Sequence, residues 1–208
     1  MKTVKTPVIS ARKRPSQARS TRLVDDILKA AVRVLAAEGA HRFTTARVAE
    51  EAGVSVGSLY QYFPNKEAIL FRLQADEWQD TRGLLERILA DATQPPLGRL
   101  RQAVHAFFQT EWLEAELRTA LDNAAPLYRE APEADEIWQA CTRCVTALMK
   151  EICPQASLSD RAFASDMVVT VMSAVGEKVS ERARSEAEVN AMATATGAML
   201  CAYVKGMK

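Results

Sequence analysis

From Thr21 onward, apolar residues recur at helical spacing. Ile27, Leu28, Ala31, Val34 and Leu35 fall on one face and Gly39 follows as a C′ stop, which predicts a helix over about 21–37. Thr44 can cap a short second helix running to Ala52, Gly53 breaks it, and Ser55 can cap a third through Tyr62. A long helix then begins at Lys66, with Glu67 over its positive end, and Pro95-Pro96 ends it. Leu100, Val104, Phe107, Phe108 and Trp112 mark the next amphipathic segment, and Pro126 interrupts the chain near 117–130. Pro132 with Glu133, Asp135 and Glu136 reads as a helix start, with proline at the first position and acids over the dipole; that helix runs to Ile152, before Cys153-Pro154. Ser157-x-x-Asp160 opens a helix to about Ala183, and the capping box Ser185-x-x-Glu188 opens a last one to about Lys205. The reading is all-α, with about nine helices and no internal repeat.

Composition narrows the class. Of 208 residues, 48% are hydrophobic and 25% charged, with only 8 Gly and 8 Pro, the balance of a soluble helical protein with a core of its own. No run approaches the roughly 18 consecutive apolar residues of a membrane helix. The basic N-terminus lacks the apolar stretch and small-residue cleavage site of a secretory signal, so a cytoplasmic protein with reduced thiols and no membrane partner is expected. The formal charge of +1 conceals a division along the chain: residues 1–66 hold twelve Lys and Arg against five Asp and Glu, and residues 67–208 hold fifteen against twenty-one. Residues 1–20, with Arg12, Lys13, Arg14 and Arg19 and with Pro7 and Pro15, read as a flexible basic arm. A basic end on an acidic body points to a polyanion partner.

Between Thr45 and Tyr62 the pattern becomes specific. Val48, Ala49 and Ala52 form the inward face of one short helix, Val54 and Leu59 that of the next, and Gly53 stands at the corner. Two short helices cross steeply only where the contact residue is small and the turn can take a positive φ, which Ala49 and Gly53 supply. This order is the helix-turn-helix pattern, here at about 44–63. The run from Thr44 to Ala68, with Ile27-Leu28-x-Ala30-Ala31 and Glu38-Gly39 before it, resembles the DNA-binding domain of the TetR-type (tetracycline repressor) family over about residues 21–75.

The resemblance implies a three-helix DNA-binding domain at 21–66, joined by the long helix to a ligand-binding and dimerisation domain at 67–208. The helix from Ser55 to Tyr62 would lie in the major groove of double-stranded DNA. Gly57, without a Cβ, lets it approach the groove wall, at a cost of about 1 kcal/mol relative to Ala in a helix. Ser55, Ser58, Tyr60 and Tyr62 offer hydroxyls to phosphates; Thr44, Thr45 and Arg47 would meet the backbone; Lys66 would join them from its helix N-terminus. For base edges the candidates are Val56, Gln61 and Ser58. The basic arm either enters an adjacent minor groove or adds only non-specific attraction.

In the larger part, small residues interrupt the apolar stripes of the last two helices: Phe163, Met167, Thr170, Ser173, Ala174 and Gly176 on one, and Val189, Met192, Ala193, Thr196, Gly197, Leu200 and Tyr203 on the other. In the family these two helices build a homodimer interface, and two-fold symmetry then implies a near-palindromic operator. His105, Phe108, Trp112, Trp138 and Cys141, with Trp78 and Met149, are candidates to line a pocket for a small, largely apolar effector, although aromatic and methionine side chains on helices are more often plain core. Cys141-Thr142-Arg143-Cys144 places two thiols on one helix face; they are read as structural cysteines, a thiol switch or half of a metal site. With His41 and His105 the only histidines, no metal and no cofactor is expected. No G-x-S-x-G, H-E-x-x-H or phosphate-cradling glycine loop is present, so no enzyme is expected.

Overall fold

A computed structural model describes residues 18–124, 131–183 and 185–207. The described residues form nine helices and no strand: α1 (Ala18–Arg42), α2 (Thr45–Glu51), α3 (Val56–Tyr60), α4 (Lys66–Ala90), α5 (Pro96–Leu113), α6 (Ala115–Ala124), α7 (Pro132–Ile152), α8 (Leu158–Arg182) and α9 (Glu186–Lys205). Most starts are where local chemistry puts them. Thr44, Ser55, Ser157 and Ser185 each accept, through the side-chain oxygen, the N–H of the residue three ahead. Pro132 opens α7 with Glu133 and Asp135 in its first turn.

Several helix ends differ from expectation, α3 stopping at Tyr60 rather than Tyr62 among them. Within α1 the backbone turns at Gly39 (φ 71°), as a C′ glycine should, but then resumes a helical turn to Arg42; at its other end α1 begins at Ala18, inside the segment read as an arm. Arg12, Lys13 and Arg14 lie outside the described residues. The long helix α4 stops at Ala90, before Pro95, because the Asp91 carboxylate accepts the N–H (3.1 Å) and the hydroxyl (2.6 Å) of Thr93 and so offers the backbone a turn instead. Those bonds also hold the Asp91 carboxyl below its ordinary value.

The chain divides into two compact units, one of residues up to Glu77 with Glu116–Ala131, the other of Trp78–Ala115 with Pro132–Lys208. In the first, α1 packs on α2 and α2 on α3. Ile27, Ala31, Val34 and Leu35 from α1, Val48 and Ala49 from α2, and Leu59 from α3 are buried, the faces that their spacing predicts. In the second, α5 lies against α8 and α9, and α7 against α8. Their core combines Leu85, Ile88 and Leu89 of α4 with Leu100, Val104 and Phe108 of α5, Val145, Leu148 and Met149 of α7, and Val168 and Leu200 of α8 and α9. Arg99, only 3% exposed, is held inside it. Its guanidinium donates to the Leu89 carbonyl at the end of α4 (2.7 Å) and makes a two-pronged ion pair with Glu151 at the end of α7.

Candidate nucleic-acid interface and ligand cleft

The corner between α2 and α3 is built by backbone. Ala52 N–H bonds the Val48 carbonyl, Val54 N–H bonds the Ala49 carbonyl (3.0 Å), and Gly53 turns the chain at φ 67°, a conformation that side-chain-bearing residues rarely adopt. With Leu59 fixed inward at 0% exposure, the opposite side of α3 is turned out: Val56 (40%), Gly57, Tyr60 (39%) and Gln61 are exposed, and Ser55 beside them. Val56 and Tyr60 are large apolar groups one turn apart in water. Nothing inside the chain requires glycine at 57, since its φ is not positive and an added Cβ would meet only Ser55 Oγ, at 3.8 Å.

Hydroxyls border this face. Thr45 Oγ1 and Tyr60 OH are hydrogen-bonded at 3.1 Å, joining the start of α2 to the end of α3. Ser55 Oγ accepts the Ser58 N–H (3.0 Å) and bonds its hydroxyl (2.8 Å). Thr44 caps α2 through the Arg47 N–H, and Lys66 begins α4 behind Asn65, whose Oδ1 takes the Ala68 N–H at 2.8 Å. The capping role of Asn65 escaped the sequence reading, although asparagine before a helix is its usual signal.

Two expected contacts are placed otherwise. Tyr62 is 7% exposed and belongs to the core: it follows Leu59 by three residues and shares that inward stripe. Arg47 is exposed, but its guanidinium is clamped between Glu38 (2.5 Å) and Glu50 (2.6 Å). The hydrogen bond from Arg47 holds the Glu38 carboxyl below its ordinary value, and Glu38 in turn raises Arg47. A second pair, Arg33–Glu51 at 2.6 Å, ties α1 to α2.

The second unit contains an apolar cleft open to solvent, the empty space along its walls, about 510 Å³, including that solvent. Its walls are Arg82, Leu85, Glu86 and Leu89 of α4 with Leu100, Ala103 and Phe107 of α5. Opposite stand Cys141, Cys144 and Val145 of α7 and Val169, Met172 and Ser173 of α8. Of the residues expected to line a pocket, Cys141 borders this cleft. Phe108 and Met149 are wholly buried core; Trp112 packs half-buried against that core; Trp138 is 36% exposed; His105 faces Thr194 of α9, Nε2 to Oγ1 at 3.4 Å. Burial, followed by the neighbouring Cys144, pushes the Cys141 thiol up to about 11, and burial raises Cys144 as well. Among the described residues no group of three His, Cys, Asp or Glu is disposed to hold a metal ion, and no helix is long and apolar enough to cross a membrane.

On α9 much of the predicted stripe is turned into its own unit: Val189, Ala193, Thr196, Gly197 and Leu200 are buried, because α9 packs along α5. Phe163 (63%) and Met167 of α8, with Met199 and Tyr203 of α9, remain exposed.

Residues 27–73 match the family model described as bacterial regulatory proteins, tetR family, and residues 95–207 match the model for the tetracyclin repressor-like C-terminal domain. The nucleoid occlusion factor SlmA of Vibrio vulnificus is 36% identical over 109 residues, 43% of this chain and 56% of that protein. The chain thus spans about half the length of that curated relative. Among solved structures, the fatty acid degradation regulator FadR from Bacillus halodurans superposes with a TM-score of 0.64 at 20% identity, covering 90% of this chain and 97% of its own. A TetR-family transcriptional regulator from Pectobacterium atrosepticum does so with a TM-score of 0.71 at 15% identity, covering 93% and 97%. At such identities the likeness speaks for the fold.

Proposed function

The chain belongs to the TetR family of bacterial regulatory proteins, and from that premise we propose that it is a sequence-specific DNA-binding transcriptional regulator, a repressor released from its operator by a small, largely apolar effector. The observation that carries the reading is the outward face of α3, where Val56, Gly57, Tyr60 and Gln61 stand exposed on a rigid corner. A helix presenting a glycine that its own fold does not need, between two exposed apolar side chains, is suited to lie close against a groove wall. Val56 would meet a thymine methyl and Gln61 an adenine edge, with Ser58 reading beside them. Ser55, Tyr60, Thr44, Thr45 and Lys66 would hold phosphates. Arg47 joins them only by leaving Glu38 and Glu50.

The domain roles follow: residues 21–66 bind DNA, and 67–208 bind the effector and dimerise. The exposed Phe163 and Met167 on α8 and Met199 and Tyr203 on α9 supply an apolar face that a second copy would cover, and a two-fold dimer reads a near-palindromic operator. The apolar cleft of the second unit is the effector site, and the protein works in the cytoplasm. An effector relieves binding only by preferring a conformer in which the two α3 helices no longer match successive major grooves.

Fluorescence anisotropy on duplexes selected from a random pool tests the reading. Selected duplexes should compete far better than random sequence at moderate salt, and equal competition would refute specific recognition. Tyr60→Phe and Lys66→Ala should weaken binding to all duplexes, and Gln61→Ala should change the preferred sequence. The similarity to a nucleoid occlusion factor favours a second reading, a DNA-bound architectural or protein-recruiting factor without a small-molecule effector. Sequence-specific binding unmoved by any cleft ligand would select it.

A further inference from the structure

Cys141 and Cys144 lie one turn apart on α7 and border the same cleft. The other two cysteines are engaged inside the fold: Cys153 Sγ donates to the Val204 carbonyl at 3.1 Å, and Cys201 Sγ to the Leu97 carbonyl at 3.5 Å. Met172 adds a third soft sulfur to the cleft from α8. The two charged side chains there, Arg82 and Glu86, pair with each other at 3.6 Å, so the cleft offers little net charge to an ionised guest.

Spacing decides what the thiol pair can hold. Residues three apart on a helix have Cβ atoms about 5–6 Å apart, whereas a disulfide needs about 3.5–4.5 Å. The helix runs unbroken through both positions, so closing the two sulfurs on each other would distort it. One intervening atom bonded to both spans the gap with the helix intact. A tetrahedral zinc site would need two further ligands, and no group of three candidate ligands exists among the described residues.

We infer that the Cys141–Cys144 pair captures a single thiophilic centre carried on a neutral, apolar molecule, the chemistry of a trivalent organoarsenical. Two As–S bonds form, the arsenic–oxygen double bond breaks, and both thiol protons leave with that oxygen as water; nothing is oxidised or reduced. The reagent and product are uncharged, and the organic substituent occupies apolar space beside Phe107. Protonated thiols suffice for this condensation. That suits a Cys141 thiol held up to about 11 by its burial, which would make a poor thiolate nucleophile at neutral pH. The inference names the effector chemistry under the function proposed above and rests on that reading only for its consequence at DNA.

Phenylarsine oxide titrated into the reduced full chain tests it. Intact mass should report one arsenical per chain, removed by 2,3-dimercaptopropanol and not by a monothiol. Cys141→Ser and Cys144→Ser, checked for unchanged helical circular dichroism, should each weaken capture on the order of 100-fold, because the second bond is then no longer intramolecular. Cys201→Ala should leave capture unchanged. Tight, dithiol-reversible capture by either serine variant, absence of capture by the wild type, or ready formation of a Cys141–Cys144 disulfide would overturn the inference. Capture without loss of DNA affinity would uphold the site and refute the effector role of the cleft. DNA release by other apolar molecules, with no arsenical captured, would do the reverse.

Discussion

Gly57→Ala separates stability from recognition at one atom. In the free protein the new methyl finds open space, its nearest neighbour being Ser55 Oγ at 3.8 Å, and the backbone there is not in the left-handed region. Replacing a helical glycine by alanine under those conditions should stabilise the fold by about 0.5–1 kcal/mol. For a chain of this size that is a rise of about 1–4 °C in the thermal midpoint. Against DNA the same methyl stands on the exposed face between Val56 and Tyr60 and must be fitted into a close contact. An overpacked contact costs about 1–3 kcal/mol, or roughly five- to 150-fold in affinity. Thermal melts followed by circular dichroism, with anisotropy on a selected duplex at two salt concentrations, read the two effects on one variant. A variant that melts higher and binds as tightly as the wild type would remove α3 from the groove wall. One that melts lower would contradict the open space around residue 57.

Other outcomes follow from the same geometry. Glu38→Gln combined with Glu50→Gln releases Arg47, and the dependence of DNA affinity on salt should steepen by about one phosphate contact, read from anisotropy across a sodium chloride series. The Glu38 carboxyl lies below its ordinary value of 4.5 because of Arg47, so its stabilising effect is present above that value and fades as pH falls through the lowered one; acid melts of wild type and Glu38→Gln should converge there. Gly53→Ala meets no clash but keeps a φ of 67°, and should cost about 1–2 kcal/mol in urea unfolding. Glu151→Ala strands the Arg99 guanidinium and should cost roughly 1–3 kcal/mol, reduced from a fully buried pair because the Glu151 side chain is 48% exposed. Adding Arg99→Met should recover part of that loss, and no recovery would mean the guanidinium is not the source.

What the chain discloses by itself is its local chemistry. Thr44, Ser55, Ser157 and Ser185 cap helices because a short polar side chain before an apolar stripe has few other uses, and Gly53 turns because its neighbours leave nothing else to do so. Tyr62 was legible too: three residues after Leu59 it had to share the buried side, and its hydroxyl distracted from its position. The remainder depends on partners far apart in sequence. Arg47 meets Glu38 nine residues back, and Arg99 meets Glu151 fifty-two residues on. An arginine is seldom buried, so no local pattern announces one at the centre of a unit. Phe108 points from α5 into the core while its neighbour Phe107 borders the cleft, and the leucine, valine, methionine and cysteine side chains around Phe107 cannot be told from ordinary interior by periodicity.

The grip of Arg99 on α4 and α7 has a mechanical corollary. It sits beside Leu89 and Leu100, while Arg82 and Phe107 border the cleft seven residues away along their helices, about 10 Å at the helical rise. The walls are therefore riveted at one end like the ribs of a fan. Under the effector role proposed above, a bulkier guest would spread them at the Arg82, Phe107 and Cys141 edge, so that girth rather than length in the bound molecule would decide how far the cleft opens.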